Sequence, residues 1–213
     1  MQIIDLSHEI NSKMTIYPGT KRITVIDHKM LESFGVCVQE YAFNGHTGTH
    51  LDVPKHISEH GTTTSTFDIN SFCGKAIVCD VSYKKKGEII EWSDIESIDM
   101  KTNNIDYILF YTGWSKYWNS DMYLEDYPVL TNEVVKKLSR MNIYGVGLDT
   151  ISIDKIDGSL QNHHTLLGKG KIIVENLTNL EKLIGMKFIF TCFPLKFTGG
   201  DGSPIRATAI LDL

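Results

Sequence analysis

Short apolar and β-branched runs bounded by polar and turn residues recur along this chain, and they predict more strands than helices. Residues 2–7 (Gln-Ile-Ile-Asp-Leu-Ser) read as a short first strand. Residues 22–29, rich in β-branched side chains, and residues 35–43, which read as alternating, are both strand candidates. The second runs directly into a histidine-rich stretch. Residues 75–82, 105–111, 143–148, 171–174, 187–193 and 205–211 complete the predicted strands. Helical spacing is rarer. Val134, Val135, Leu138 and Met141 share one face of a helix predicted over 132–141, with Thr131 as its N-cap. Shorter helices are expected around 92–98, started near Glu91 or Ser93, over 159–168, and from an Asn176 cap through Leu183. Pro18-Gly19, Thr112-Gly113-Trp114 and residues 198–204 break the chain as turns. Residues 57–70 are rich in Ser and Thr and read as a surface loop carrying a solvated His60. The sum is one mixed α/β domain spanning 1–213. It is not a regular βαβ series, because the first strands follow one another directly.

Composition narrows the function. The chain has 213 residues and a formal charge of -5. That charge, without a basic run, argues against nucleic acid as a partner. Lys84-Lys85-Lys86 before Gly87 reads as a solvated turn. The N-terminus lacks the basic and apolar regions of a signal peptide, and no apolar run approaches the ~20 residues of a membrane span. Cys37, Cys73, Cys79 and Cys192 are scattered, with no metal-binding spacing. They lie in apolar surroundings and fit buried free thiols in a reducing cytoplasm better than a disulfide framework.

The candidate chemistry lies in His46-Thr47-Gly48-Thr49-His50-Leu51-Asp52-Val53-Pro54-Lys55-His56. Imidazoles and a carboxylate so close together are a ligand set for zinc, manganese or iron. Four extended residues span roughly 13 Å, too far for His46 and His50 to share an ion comfortably. Gly48, the flanking threonines and Pro54 disfavour a helix. A curled loop with Gly48 at its bend is therefore expected, followed by a short extended piece with His50 and Asp52 on one face. The lack of cysteine in the stretch favours a catalytic over a closed structural site. Tyr17, extended before Pro18, packs in the core or lines a pocket. Trp114, Tyr117, Trp118, Tyr123 and Tyr127 form either a pocket wall or a packed irregular loop. Asp149 ends a predicted strand, where α/β proteins place site residues. It either orients a ligand histidine or accepts structural hydrogen bonds.

The stretch is identical to the motif His-x-Gly-Thr-His-x-Asp-x-Pro-x-His, and the chain resembles the cyclase family of metal-dependent hydrolases, which includes the bacterial kynurenine formamidases. Other segments carry the resemblance along the chain: Asp5-Leu6-Ser7-His8, Met14 to Gly19, Gly147-Leu148-Asp149 with Ser152, His163 to Leu167 followed by Glu175-Asn176-Leu177, and Gly202 to Arg206. The resemblance implies a swivelling β/β/α fold with a partly barrel-like core and peripheral helices, in a homodimer or homotetramer. It implies that His46, His50 and Asp52 hold one metal ion, and that Asp52 and Glu175 bridge to a second, held also by His163. His163 is taken over His164 from its position relative to Leu166-Leu167. His56 becomes the proton donor and acceptor. Tyr17 stands where kynurenine formamidases commonly carry a substrate-contacting tryptophan.

Elementary chemistry supports the same reading. Zn²⁺, with Mn²⁺ as the alternative, acidifies a water to give hydroxide near neutral pH and polarises a carbonyl. Histidine titrates close to neutrality, which suits His56 to proton transfer. One ion or two fit the ligands, because Asp52 and Glu175 are the only bridging candidates. The expected activity is cleavage of a carbon–nitrogen bond in a small amide, with N-formyl-L-kynurenine as the leading substrate. A cyclic amide of the isatin type, or another acyl compound, is the second expectation. A non-catalytic metal- or ligand-binding protein is the reading from another class.

Overall fold

The computed structural model describes residues 1–28, 34–96, 104–156 and 158–211. In chain order, β1 (Gln2–Asp5), β2 (Thr24–His28) and β3 (Val38–Ala42) come first. They are followed by β4 (His50–Asp52), β5 (Cys73–Asp80), β6 (Ile89–Ile90), the short α1 (Trp92–Ile95) and β7 (Tyr107–Tyr111). Next come β8 (Val129–Leu130), α2 (Asn132–Arg140), β9 (Gly145–Leu148), α3 (Gln161–Leu167) and β10 (Ile172–Glu175). Strands β11 (Phe188–Thr191), β12 (Gly202–Pro204) and β13 (Thr208–Leu211) close the chain.

Nine of these strands form one mixed sheet in the order β1-β13-β11-β5-β7-β9-β10-β4-β12. The centre, β5-β7-β9-β10, is parallel, and the flanks are antiparallel. The expected partly barrel-like core is thus a curled sheet left open between β1 and β12. Its period-two alternation feeds two cores. Tyr107 and Leu109 of β7 face one, whereas Ile108 and Phe110 face the other. Val134, Val135 and Leu138 of α2 cover the second face, with Leu166 and Leu167 of α3. Burying each such aliphatic side chain stabilises the fold by ~1.5–3 kcal/mol. The Thr131 hydroxyl caps α2 as expected, accepting from Val134 N at 3.4 Å.

Several expectations change. Strands β2 and β3 do not join the main sheet; they pair with each other as a ribbon whose strand residues are all exposed. The turn-rich residues 198–204 include strand β12, which pairs with β4. Proline is tolerated there because β12 is an edge strand. Asn176 does not cap a helix. It adopts a left-handed conformation (φ 59°), and only a 3-10 turn, Leu180–Leu183, follows. The helix expected over 92–98 covers 92–95 with Glu96 as its C-cap, and residues 97–98 of the expected range lie outside the described residues. The small parallel pair β6-β8 was not foreseen. The four cysteines are free thiols, but only Cys79 and Cys192 are buried as expected; Cys73 is half-buried and Cys37, on the segment leading into the exposed β3, is exposed. No helix among the described residues is long and apolar enough to cross a membrane.

Candidate metal centre

The sheet order places the site. β4 lies between β10 and β12, with His50 beside Glu175 and Pro204. Along β4, Leu51 points into the core while His50 and Asp52 share the opposite face. The preceding loop curls as expected. Gly48 has φ +64°, and a Cβ there would sit 3.0 Å from the Ile10 side chain. Asn44 starts the curl by accepting from His46 N at 2.8 Å. His56 ends a 3-10 turn, Pro54–His56, that opens with a proline.

The buried carboxylates are the centre of the arrangement. Asp52 Oδ1 lies 2.6 Å from His46 Nδ1 and 3.5 Å from His50 Nε2. Its other oxygen, Oδ2, lies 3.5 Å from His163 Nε2. Glu175 divides its oxygens in the same way. Oε2 is 3.5 Å from His50 Nε2, and Oε1 is 3.3 Å from His163 Nε2. Two donors each 2.0–2.1 Å from a tetrahedral ion stand roughly 3.3–3.4 Å apart. Four of these separations match that edge length and are too long for good hydrogen bonds. Asp52 Oδ2 is also a buried oxygen with no hydrogen-bond partner. A buried acceptor left unsatisfied is costly, and a cation satisfies it. The residues therefore fit a divalent metal.

Supporting groups aim the rings. His50 Nδ1 donates to Gly48 O at 2.9 Å, leaving Nε2 and its lone pair toward the carboxylates. Gly48 O accepts also from Asn176 Nδ2 at 2.8 Å, and Asn176 Oδ1 accepts from the Tyr123 hydroxyl at 2.9 Å. His163 Nδ1 donates to Asp154 Oδ2 at 2.8 Å, leaving its Nε2 toward Asp52 and Glu175. Ile153 N donates to Glu175 Oε1 at 2.8 Å. His46 Nε2 stands 3.0 Å from Asp201 Oδ2, and His56 Nδ1 is 3.5 Å from the same oxygen.

The electrostatics follow from burial and proximity. Burial opposes the charge on Asp52, yet His46, His50 and His163 hold its carboxyl well below the usual carboxylate range. Burial also opposes a charged His46, but Asp52 and Asp201 push it up to about 10. His163 is raised too, against its burial, by Asp154, Asp52 and Glu175. Burial dominates at His50 and lowers it. Without an ion, protonated His46 and His163 neutralise the carboxylates. A metal would displace those protons.

Of the sequence-predicted site residues, His46, His50, Asp52, His56, His163 and Glu175 converge. His164, one residue on, is exposed, and so is His60. Tyr17 packs against the aromatic cluster around Trp114, Tyr123 and Tyr127, and its hydroxyl donates to Ile156 O at 3.0 Å. That cluster is a packed layer. Asp149 takes the structural alternative: it is fully buried and accepts from Thr112 N, the Thr112 hydroxyl and Trp114 N. Burial raises it to about 6, against those hydrogen bonds. Asp154 and Asp201 were missed. Asp154 performs the ring-orienting task considered for Asp149, and its only signal is a place nine residues before His163. Asp201 gives none, lying 155 residues from the histidine it touches.

The model of the Cyclase family, described as "Putative cyclase", matches residues 4–155. The chain belongs to the cyclase family. Its relatives within reach of this cyclase-family chain span it almost end to end. An uncharacterized protein of Methanocaldococcus jannaschii is 34% identical, over 99% of this chain and 100% of its own length. The kynurenine formamidase of Bacillus cereus is 30% identical, over 96% of this chain and 95% of its own. Among solved structures, isatin hydrolase A from Labrenzia aggregata, bound to benzyl benzoate, superposes with a TM-score of 0.87 at 24% identity. It covers 99% of this chain, which covers 94% of it. That likeness shows that the cyclase-family fold extends through His163 and Glu175, beyond the residues the family model matches.

Proposed function

We propose that this cyclase-family chain is a metal-dependent hydrolase that cleaves a carbon–nitrogen bond other than a peptide bond, releasing formate from N-formyl-L-kynurenine. One observation carries the reading. Two buried carboxylates each turn one oxygen to His50 and the other to His163, with His56 beside them. The kynurenine formamidase relative supports the substrate.

His46, His50 and Asp52 would hold one ion, and His163 with Asp52 and Glu175 would provide for a second. Zn²⁺ is the first choice and Mn²⁺ the alternative, since both accept nitrogen and oxygen donors. Such an ion supplies an acidified water and a polarised carbonyl. The chain supplies the rest. Gly48 O and Asp154 fix the lone pairs of His50 and His163. His56, about one quarter exposed, has access to the substrate side. It takes the proton of the attacking water and returns it to the departing nitrogen as the carbon–nitrogen bond breaks. Water thus ends as the hydroxyl of formic acid and the new hydrogen on the amine.

Tyr17 keeps a second substrate in view. It stands where the resemblance puts the tryptophan of kynurenine formamidases, which weakens the first substrate, and the likeness in fold to an isatin hydrolase supports a cyclic amide of the isatin type as the alternative. The small-molecule substrate is aromatic in either case. The homodimer or homotetramer expected of the family is supported by the exposed β2-β3 ribbon, whose Val25, Ile26, Val38 and Tyr41 lie in solvent. The free cysteines suit the cytoplasm.

Purified protein loaded with Zn²⁺ or Mn²⁺ and mixed with N-formyl-L-kynurenine is expected to release formate. No formate with either metal removes this substrate, and hydrolysis of isatin instead installs the second. His56→Ala is expected to keep its metal while turnover falls about 10²–10⁴-fold. A fully active His56→Ala would take the proton-transfer role from that residue.

A further inference from the structure

Asp201 contributes a carboxylate to the site, and the reading above gives it no task. The geometry points to Asp201 as a positioning residue that sets the ring tautomers of both His46 and His56, joining an ion-holding histidine to the proton-transfer histidine. The roles of those two histidines rest on the proposed hydrolase reading; the place of Asp201 between them does not.

A carboxylate only accepts, so the ring nitrogen facing it carries the hydrogen. Asp201 Oδ2 faces His46 Nε2 at 3.0 Å and His56 Nδ1 at 3.5 Å. The first is a full hydrogen bond, and the second is a longer contact of the kind that tightens in a loaded site. Without an ion, His46 Nδ1 also carries a hydrogen, toward Asp52 Oδ1 at 2.6 Å; when an ion displaces that proton, Asp201 would keep the remaining hydrogen on Nε2 and leave Nδ1 to the ion. His56 is left with its lone pair on Nε2, free to take and return a proton. The two rings lie 4.1 Å apart between centroids, so one oxygen reaches both.

The backbone around Asp201 is fastened in place. Asp201 O accepts from Val53 N at 3.1 Å, and Gly200 O accepts from Thr64 N at 2.9 Å. A Cβ on Gly202 would lie 2.7 Å from His46 Cε1 and 2.8 Å from Leu51 O. Only glycine allows the chain after Asp201 to press so closely on the ring it serves. A plain surface aspartate needs no such seat.

The test uses ring ¹⁵N shifts of histidine-labelled, Zn²⁺-loaded protein, assigned with His46→Ala and His56→Ala. In the wild type, His56 is expected to carry hydrogen on Nδ1 and His46 on Nε2. Asp201→Ala is expected to lose the His56 preference and to bind Zn²⁺ about 10–100-fold more weakly against a competing chelator. Asp201→Glu is expected to restore part of both, and Asp201→Asn, which keeps the volume, to repeat the loss in part. Unchanged shifts and affinity in Asp201→Ala overturn the proposal. Weaker Zn²⁺ binding with an unchanged His56 tautomer also overturns it, because the link to His56 is then missing. Neither readout needs a substrate. Shifts that move as expected in a protein that hydrolyses no amide would uphold the positioning role and remove the hydrolase reading.

Discussion

Residues 38–42 and 50–52 are neighbouring strands with opposite fates. Every residue of β3 is exposed, and every residue of β4 is buried. β3 is the longer strand and carries Val38 and Tyr41, yet it joins no core cluster among the described residues. Its partner β2 gives it Val25 opposite Tyr41 and Ile26 opposite Glu40, and no described residue buries either face. A two-stranded ribbon is marginal by itself in water. The three residues of β4, by contrast, are held on both edges by β10 and β12, with hydrogen-bonded ring supports around them. Apolar residues in a predicted strand therefore do not by themselves show that a core of the same chain covers them. Polar residues in a buried strand say more: something must neutralise them.

The strongest way to break this contrast is at β4. Asp52→Asn removes the charge shared by both halves of the site while keeping its volume. Zn²⁺ affinity is expected to fall beyond the roughly 100-fold upper end seen for partners one layer out from a metal, and hydrolysis is expected to vanish with it. Elemental analysis after dialysis measures the loss. Wild-type metal content in Asp52→Asn would show that the carboxylate does not hold the ion.

The next test acts on the ribbon. Ile26→Lys with Val38→Lys places two charges on the face that also carries Glu40. If a second copy covers that face, losing two buried aliphatics at ~1.5–3 kcal/mol each weakens association by more than about 100-fold. Sedimentation should then show a smaller species whose Zn²⁺ content is unchanged. Association unaltered by the pair would leave the ribbon without a covering copy.

The same contrast explains what the sequence revealed. The strands over 75–82 and 105–111 and the helix over 132–141 were legible because each has a face buried within its own chain. The ligand stretch was legible because one curled loop and one short strand carry His46, His50 and Asp52 close together. β12 was hidden because Gly202, Ser203 and Pro204 are poor strand formers, usable only at an edge. Asp201 was hidden because its partners are brought to it by the β4-β12 pairing rather than by local spacing. Asn176 misled because asparagine suits both a helix cap and a left-handed residue whose amide bridges buried groups. Here the second wins, with its side chain between Gly48 O and Tyr123.

The smallest expected effect separates the two regions by pH. In the metal-free protein, the folded state holds His46 up at about 10 from an ordinary value of 6.5. A raised folded value means that the folded state binds the proton more tightly than the unfolded chain. The stability this provides is fully present below about 6.5 and is lost as pH climbs through about 10. His163 shifts in the same direction. The metal-free Tm should therefore fall between pH 7 and pH 10, by roughly 2–4 °C for each kcal/mol removed. Zn²⁺ takes the place of those protons, so the loaded protein should lack the histidine part of this decline and keep only the loss above about pH 9 that the buried Cys79 and Cys192 thiols impose on both forms, and the gap between the two forms should widen with pH. Calorimetry on both forms measures it. Because the protons sit on residues of the metal site, Ile26→Lys with Val38→Lys should leave the pH slope unchanged. A metal-free Tm that stays flat or rises over this range would mean that His46 and His163 do not neutralise Asp52 and Glu175, and the buried carboxylates would then need another source of compensation.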